Sequence, residues 1–232
     1  LLIKRLVKSN PSPAYVGRVA DAFNDNGSGV RGDMQAVIKA ILLDEEAREG
    51  SYMMVADAGR AKEPMTKISS YARIMPLVAP GNKYWAQGYG YYNNMGQHVL
   101  SSPTVFNFYL PDFQPIGDIA DLGLTAPEFK LHNTSNAISA INQYWYMANF
   151  WGGWFMTTWE EEGMNTGVYM DINEFMPLVN EPELLVNRLD KLLTFGQLSD
   201  QTRDNIIPIL EDTYWTWNDD WQQERIRAAI YY

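Results

Sequence analysis

Cysteine is absent from this chain of 232 residues, and histidine occurs only at His98 and His132. Disulfide frameworks, thiolate zinc sites, cysteine nucleophiles and multi-histidine metal clusters are thereby excluded. Positive charge is also scarce, with 18 Lys and Arg against 28 Asp and Glu and a formal net charge of −10. Such a surface repels phosphate backbones and anionic headgroups, so nucleic acid is not expected as a partner. Long hydrophobic runs are missing too, and a membrane helix needs about 20 predominantly apolar residues. The nearest approach, residues 137–156, carries Ser139, Asn142, Gln143, Asn149 and Gly152-Gly153. Those groups suit a buried aromatic-rich helix, so no transmembrane span is expected. Leu1 to Leu6 is too short for a cleavable signal, lacks an initiator Met and reads as the middle of a helix.

With 46% hydrophobic and 20% charged residues, the chain can bury a substantial core. Ser12-Pro13 reads as an N-cap with proline at the first helical position, followed by an apolar stripe of Val16, Val19, Ala20 and Phe23. Asn24 to Gly29 is a dense turn signal, after which Met34, Val37, Ile38, Ile41 and Leu42 predict a second helix up to about Arg48. Residues 50–62 read as loop, Pro64 opens a helix ending before Pro76, and residues 81–129 read as irregular packed connections. Thr134 or Ser135 is expected to cap a helix through Ile138, Ile141, Trp145 and Ala148. Asn180 to Glu183 resembles a capping box leading to Leu185, Leu189 and Leu192; Ser199 caps the next segment, and a last helix begins near Trp217. Strand alternation is limited to Thr104–Tyr109. The expected class is all-α, an irregular multi-helix domain with long aromatic-rich loops between helices. Residues 160–232 hold 15 acidic and 5 basic groups, and are expected as an acidic helical region packed on a domain of residues 1–159.

Three blocks carry a resemblance: Leu2-Ile3-Lys4-Arg5-Leu6-Val7-Lys8-Ser9-Asn10-Pro11-Ser12-Pro13-Ala14-Tyr15-Val16, then Arg31-Gly32-Asp33 through Ala40 to Arg48, then Gly96-Gln97 with Ser102 to Tyr109. Lys62-Glu63-Pro64 and Leu124-Thr125-Ala126-Pro127-Glu128-Phe129 followed by Asn133 are further similar positions. They resemble the C-terminal half of the Domain of Unknown Function 1800 family (DUF 1800), over nearly all of residues 1–140. The resemblance implies a large bacterial protein, exported to the periplasm or cell exterior, whose long helical N-terminal half would precede Leu1. It implies as partners that half itself, an assembly subunit or a protein of the Domain of Unknown Function 1501 family (DUF 1501). No biochemical activity comes with it.

Candidate chemistry is sparse. Asn24, Asn26, Ser28 and Gly29 have the spacing of a calcium loop, but Gln35 stands where a bidentate Glu is needed, so an interhelical turn is the preferred reading. Asp33 of Arg31-Gly32-Asp33 suits a helix cap better than an adhesion tripeptide. Gly88-Tyr89-Gly90 lacks the third glycine of a dinucleotide loop, and Gly27-Ser28-Gly29 lacks the frame of a nucleophile elbow. His98 or His132 with Asp112, Asp118 or Asp121 offers base and orienting carboxylate by residue type alone. Glu160-Glu161-Glu162 and Asp219-Asp220 read as solvated acidic faces. No catalytic residue, metal ligand or cofactor is assigned.

Aromatic residues are unevenly placed, with 18 of 31 in residues 74–159 beside only six charged ones. Tyr84, Trp85, Tyr91, Tyr92, Trp145, Trp151, Trp154 and Trp159 are the candidate partner or ligand surface, as core or interface rather than a sugar-stacking platform. The expected function is a structural or interaction component of an exported assembly. The alternative is a hydrolase or carbohydrate-processing enzyme using those rings.

Overall fold

The computed structural model describes residues 1–53, 55, 58–78, 94–149, 169–212 and 219–232. The chain divides into two units, one of residues 1–63 and 101–133, the other of residues 64–100 and 134–232. Among the described residues the fold is all-α: eleven helices, two short 3-10 turns and one two-stranded ladder.

The first unit holds α1 (Leu2–Leu6), α2 (Pro13–Asn24), α3 (Met34–Leu42), α4 (Glu45–Arg48), α5 (Gly50–Met53) and, after the excursion into the second unit, α7 (Asp118–Asp121). Ser12 caps α2 as expected, its Oγ accepting from the Tyr15 amide at 3.0 Å, with Pro13 at the first helical position. Asp33 caps α3 through the Gln35 and Ala36 amides. The second helix stops six residues short of Arg48, because Asp44 turns its carboxylate onto the Glu46 amide and starts α4. Residues 50–53 form α5 where a loop was expected.

The buried face of α2 differs from the expected stripe. Tyr15 is wholly buried and Val19 packs beside it on Ile3, Val37 and Ile41, while Val16 and Phe23 are exposed. Tyr15 decides this, since its hydroxyl donates to the Ile41 carbonyl at 2.5 Å and fixes which side of α2 faces α3. Thr104–Tyr109 is not a strand. Thr104 and Asn107 form an isolated bridge closed by the Thr104 hydroxyl, Asn107 has φ 71°, and Val105 and Phe106 point outward.

The second unit holds α6 (Pro64–Ile74), α8 (Thr134–Asn149), α9 (Pro182–Leu193), α10 (Asp200–Glu211) and α11 (Trp221–Tyr231), with Leu77–Val78 paired antiparallel to Tyr169–Met170. Its core gathers Phe175, Val179, Leu185, Leu189, Leu210 and Ile226. Ser199 caps α10 through the Thr202 amide. The expected capping box at Asn180 is not formed: Glu181 is the cap residue, without a side-chain bond, because Pro182 occupies the first helical position and leaves Asn180 one residue too early. Thr134 is already helical rather than a cap, and the last helix starts at Trp221. The proposed break of α8 at Gly152-Gly153 lies outside the described residues.

The Gly96-Gln97 pair has a packing reason. Gln97 is buried and its Oε1 accepts from the Met65 amide at 2.9 Å, satisfying an orphan donor at the start of α6. Gly96 sits at φ 76°, and a Cβ there would overlap the Asn136 side-chain amide. Gly96→Ala is expected to cost about 1–2 kcal/mol from the left-handed backbone alone. Urea denaturation checks this, and an unchanged midpoint would refute the packing account.

Candidate functional site

In the first unit, Lys4, Arg5, Lys8, Ser12, Asp44, Glu46 and Tyr109 from the blocks that carry the family resemblance contribute to a seam of buried and half-buried polar groups. At one part of it Glu46, 7% exposed, receives the Ser12 amide at 3.3 Å and the Ser12 hydroxyl, and lies 3.6 Å from the buried Lys8 ammonium. Asp44 takes a two-pronged bond from Arg18, Nε to Oδ2 at 2.7 Å and Nη2 to Oδ1 at 2.8 Å. The Arg18 bond holds the Asp44 carboxyl below its ordinary range against the opposing effect of burial, with the Glu46 amide adding to it. For Glu46 burial is the largest influence and acts upward. Its bonds to Ser12 and the charges of Lys8 and Arg18 outweigh it, so this carboxyl also lies low. Tyr15 is pushed up to about 12, first by burial and then by Asp44 and Glu46.

A second part is built from more distant segments. Arg5 Nη1 donates to the Tyr109 hydroxyl at 2.7 Å and stacks over its ring, while Tyr109 donates to Glu63. Burial first, then the Glu63 carboxylate, pushes the Tyr109 phenol far above its ordinary range. Glu128, 1% exposed, pairs with Arg60 at 3.0 Å through Oε1, and its Oε2 has no hydrogen-bond partner among the described residues. Asn10 mimics a strand neighbour for Thr125: Nδ2 donates to the Thr125 carbonyl at 2.9 Å and Oδ1 accepts its amide at 2.8 Å. Lys4 joins the same place through Thr125 Oγ1 and the Pro111 carbonyl.

Chemically, this seam is built to hold segments together. The carboxylates of Glu46, Asp44, Glu63 and Glu128 each face a Lys or Arg, with Asp44 and Glu46 held below and the Tyr109 phenol above their ordinary ranges. A groove of about 560 Å³ between α2 and α3 is lined by Arg18, Ala22, Asn26, Ala36, Lys39 and Ala40. Of its two carboxylates, Asp44 is bonded to Arg18 and Asp25 accepts the Gly27 and Gly29 amides.

The other sequence candidates fall as follows. The Asn24–Gly29 loop is the expected interhelical turn: Asp25 Oδ1 accepts the Gly27 and Gly29 amides, and Asn26 Oδ1 accepts those of Ser28 and Val30. Asp25 Oδ1 and Asn26 Oδ1 are thus engaged by the loop's own backbone, and no group of three or more His, Cys, Asp or Glu residues placed to hold a metal ion occurs among the described residues. His132 donates its Nε2–H to the Lys62 carbonyl at 2.8 Å, which fixes the tautomer of the ring. His98 belongs to the other unit, and Asp112, Asp118 and Asp121 are exposed in the first. Asp219 and Asp220 are exposed before α11.

Of the eight aromatic candidates only Trp145 is described, on α8 and 43% exposed. Tyr84, Trp85, Tyr91, Tyr92, Trp151, Trp154 and Trp159 lie outside the described residues, as do Gly88-Tyr89-Gly90 and Glu160-Glu161-Glu162. The sequence reading passed over Arg225, a buried guanidinium on α11; the available signal was a basic residue one turn beyond Trp221 on the apolar side of the helix.

No helix among the described residues is long and apolar enough to cross a membrane. No curated protein and no solved structure matches the chain. Residues 1–229 match the family model described as "Protein of unknown function (DUF1800)", so the likeness continues well beyond residue 140, where the recognisable motifs thin out. With the family model spanning nearly the whole sequence, the chain belongs to the DUF1800 family.

Proposed function

We propose that this chain is a structural or interaction component of an exported bacterial assembly, with the aromatic and apolar face of α8 as its partner surface. One observation carries the reading. Ile138, Ile141 and Trp145 recur at helical spacing on α8 and are 60%, 55% and 43% exposed. An uncharged apolar stripe on a surface helix is the form in which helices meet protein partners. The locked polar seam supports the same reading, since it spends its charges on cohesion. The partner is an assembly subunit, for which the family resemblance points to a DUF 1501 protein; periplasmic or extracellular location follows from the same resemblance.

The test is co-expression with a DUF 1501 protein from the same source, read by light scattering and affinity capture. The paired change Ile141→Asp and Trp145→Ala is expected to weaken the complex at least tenfold, with the circular dichroism spectrum retained. Equal complex formation by both forms removes α8 from the interface. The enzyme alternative rests on the exposed Trp145 ring, which also suits stacking on a sugar. Oligosaccharide binding lost in Trp145→Ala, without any protein complex, would favour it.

A further inference from the structure

Asn26-Gly27 is the only Asn-Gly step in the sequence, and it lies in the turn between α2 and α3. Asparagine is among the thermolabile residues, and glycine, without a Cβ, lets its own amide nitrogen come close to the preceding side chain. Attack of the Gly27 nitrogen on Asn26 Cγ closes a five-membered cyclic imide. The nitrogen gives up its proton, the Cγ–Nδ2 bond breaks and ammonia leaves. Water then opens the ring. Addition at Cγ leaves aspartate, and addition at the main-chain carbonyl carbon leaves isoaspartate, with the backbone running through Cγ.

In the folded turn each group this reaction needs is already engaged. Asn26 Oδ1 accepts the Ser28 amide at 2.9 Å and the Val30 amide at 3.3 Å, and Nδ2 donates to Asp33 Oδ2 at 2.8 Å. The Asn26 amide itself donates to the Val30 carbonyl at 3.1 Å. The Gly27 N–H donates to Asp25 Oδ1 at 2.8 Å, and a carboxylate beside that nitrogen disfavours the negative charge the attack requires. Asp33 is also the cap of α3, through the Gln35 and Ala36 amides. The bond from Asn26, then the Ala36 amide, holds its carboxyl below the ordinary range.

From this closed set of bonds around a single Asn-Gly step, we infer that Asn26 is a deamidation site guarded by the folded turn, whose conversion releases the start of α3. The product carboxylate at position 26 no longer donates to Asp33 and meets it as a like charge, with Asp25 next in sequence. The cap then holds the Gln35 and Ala36 amides against that repulsion, and the first turn of α3 frays.

The experiment ages the full chain in mildly alkaline buffer, folded and in concentrated urea. Position 26 is followed by mass spectrometry of its peptide, with enzymatic quantitation of isoaspartate. The expected result is conversion in urea while the folded chain keeps Asn26 over the same interval. Asp33→Ala removes both the Nδ2 acceptor and the cap, and is expected to raise the folded-state rate about tenfold through more frequent opening of the turn. Asp33→Asn keeps an acceptor oxygen and a cap, and is expected to restore a rate near that of the parent. Asn26→Asp reproduces the product and is expected to speed hydrogen exchange at Gln35 and Ala36 while leaving α9 unchanged. Folded-state conversion as fast as in urea, or equal rates in the parent and Asp33→Ala, overturns the guard. Intact Asn26 after ageing in urea overturns the site itself, and unchanged exchange at Gln35 and Ala36 in Asn26→Asp overturns the release of α3.

Discussion

Replacing Glu46 by alanine is expected to remove about 3–5 kcal/mol of stability, the range for breaking a buried ion pair by deleting one member. Lys8 would keep its ammonium buried with its carboxylate gone, and the Ser12 amide and hydroxyl would lose their acceptor where α2 begins. Arg18 retains Asp44, so the α2–α4 connection is weakened rather than erased. Glu46→Gln keeps an acceptor for Ser12 and gives up only the charge, so its cost is expected to fall between the two. Urea denaturation of the three forms decides the matter, and a loss below about 1 kcal/mol in Glu46→Ala would show that the pair is no more than a surface contact in effect. The pH dependence has a fixed sign. Asp44 and Glu46 are held below their ordinary values when folded, so the unfolded chain binds more protons in acid. Their contribution is complete above the unfolded carboxyl range, near pH 4, and is lost as pH falls through the folded values. Glu46→Ala should therefore show a shallower decline in stability on the acid side.

Phe175→Ala is expected to cost about 3–5 kcal/mol, as for truncation of a large side chain in a packed core. The ring is fully buried among Leu185, Val179, Leu210 and Ile226, where segments distant in sequence meet. Surrounding groups belong to helices whose positions are set by other contacts, so collapse into the cavity is restricted. Phe175→Leu retains most of the volume and is expected to cost less than about 1.5 kcal/mol. Chemical denaturation of both variants tests the claim; similar midpoints for alanine and leucine would mean that the site relaxes around the loss. Because Phe175 and the seam around Glu46 lie in different units, the pair of experiments also measures whether the chain unfolds in one transition or two.

Local signals were the most legible. Ser12, Asp33 and Ser199 each stand before an apolar-periodic stretch and each caps a helix, because a short oxygen-bearing side chain satisfies the first free amides wherever the chain goes next. The same logic mislocated the start of α9, where proline at the first helical position shifted the cap by one residue. Periodicity placed α2 but not its buried face: Tyr15, with its polar tip, was left out of the stripe, although its hydroxyl finds the Ile41 carbonyl and turns the ring inward. Thr104–Tyr109 alternates like a strand, yet the Thr104 hydroxyl closes a turn there instead.

The sequence by itself determined the helical class, the exclusion of thiol and multi-histidine chemistry, the family, and the places where helices start. These depend on residue type and spacing over a single turn or two. Only the tertiary structure decided that Arg5, Glu63, Tyr109, Arg60 and Glu128 meet in the first unit, and that Arg225 is buried. Partners separated by 58 residues, as Arg5 and Glu63 are, leave no trace in local periodicity. A charged residue announces its burial only through the groups that surround it, and those are assembled by the fold.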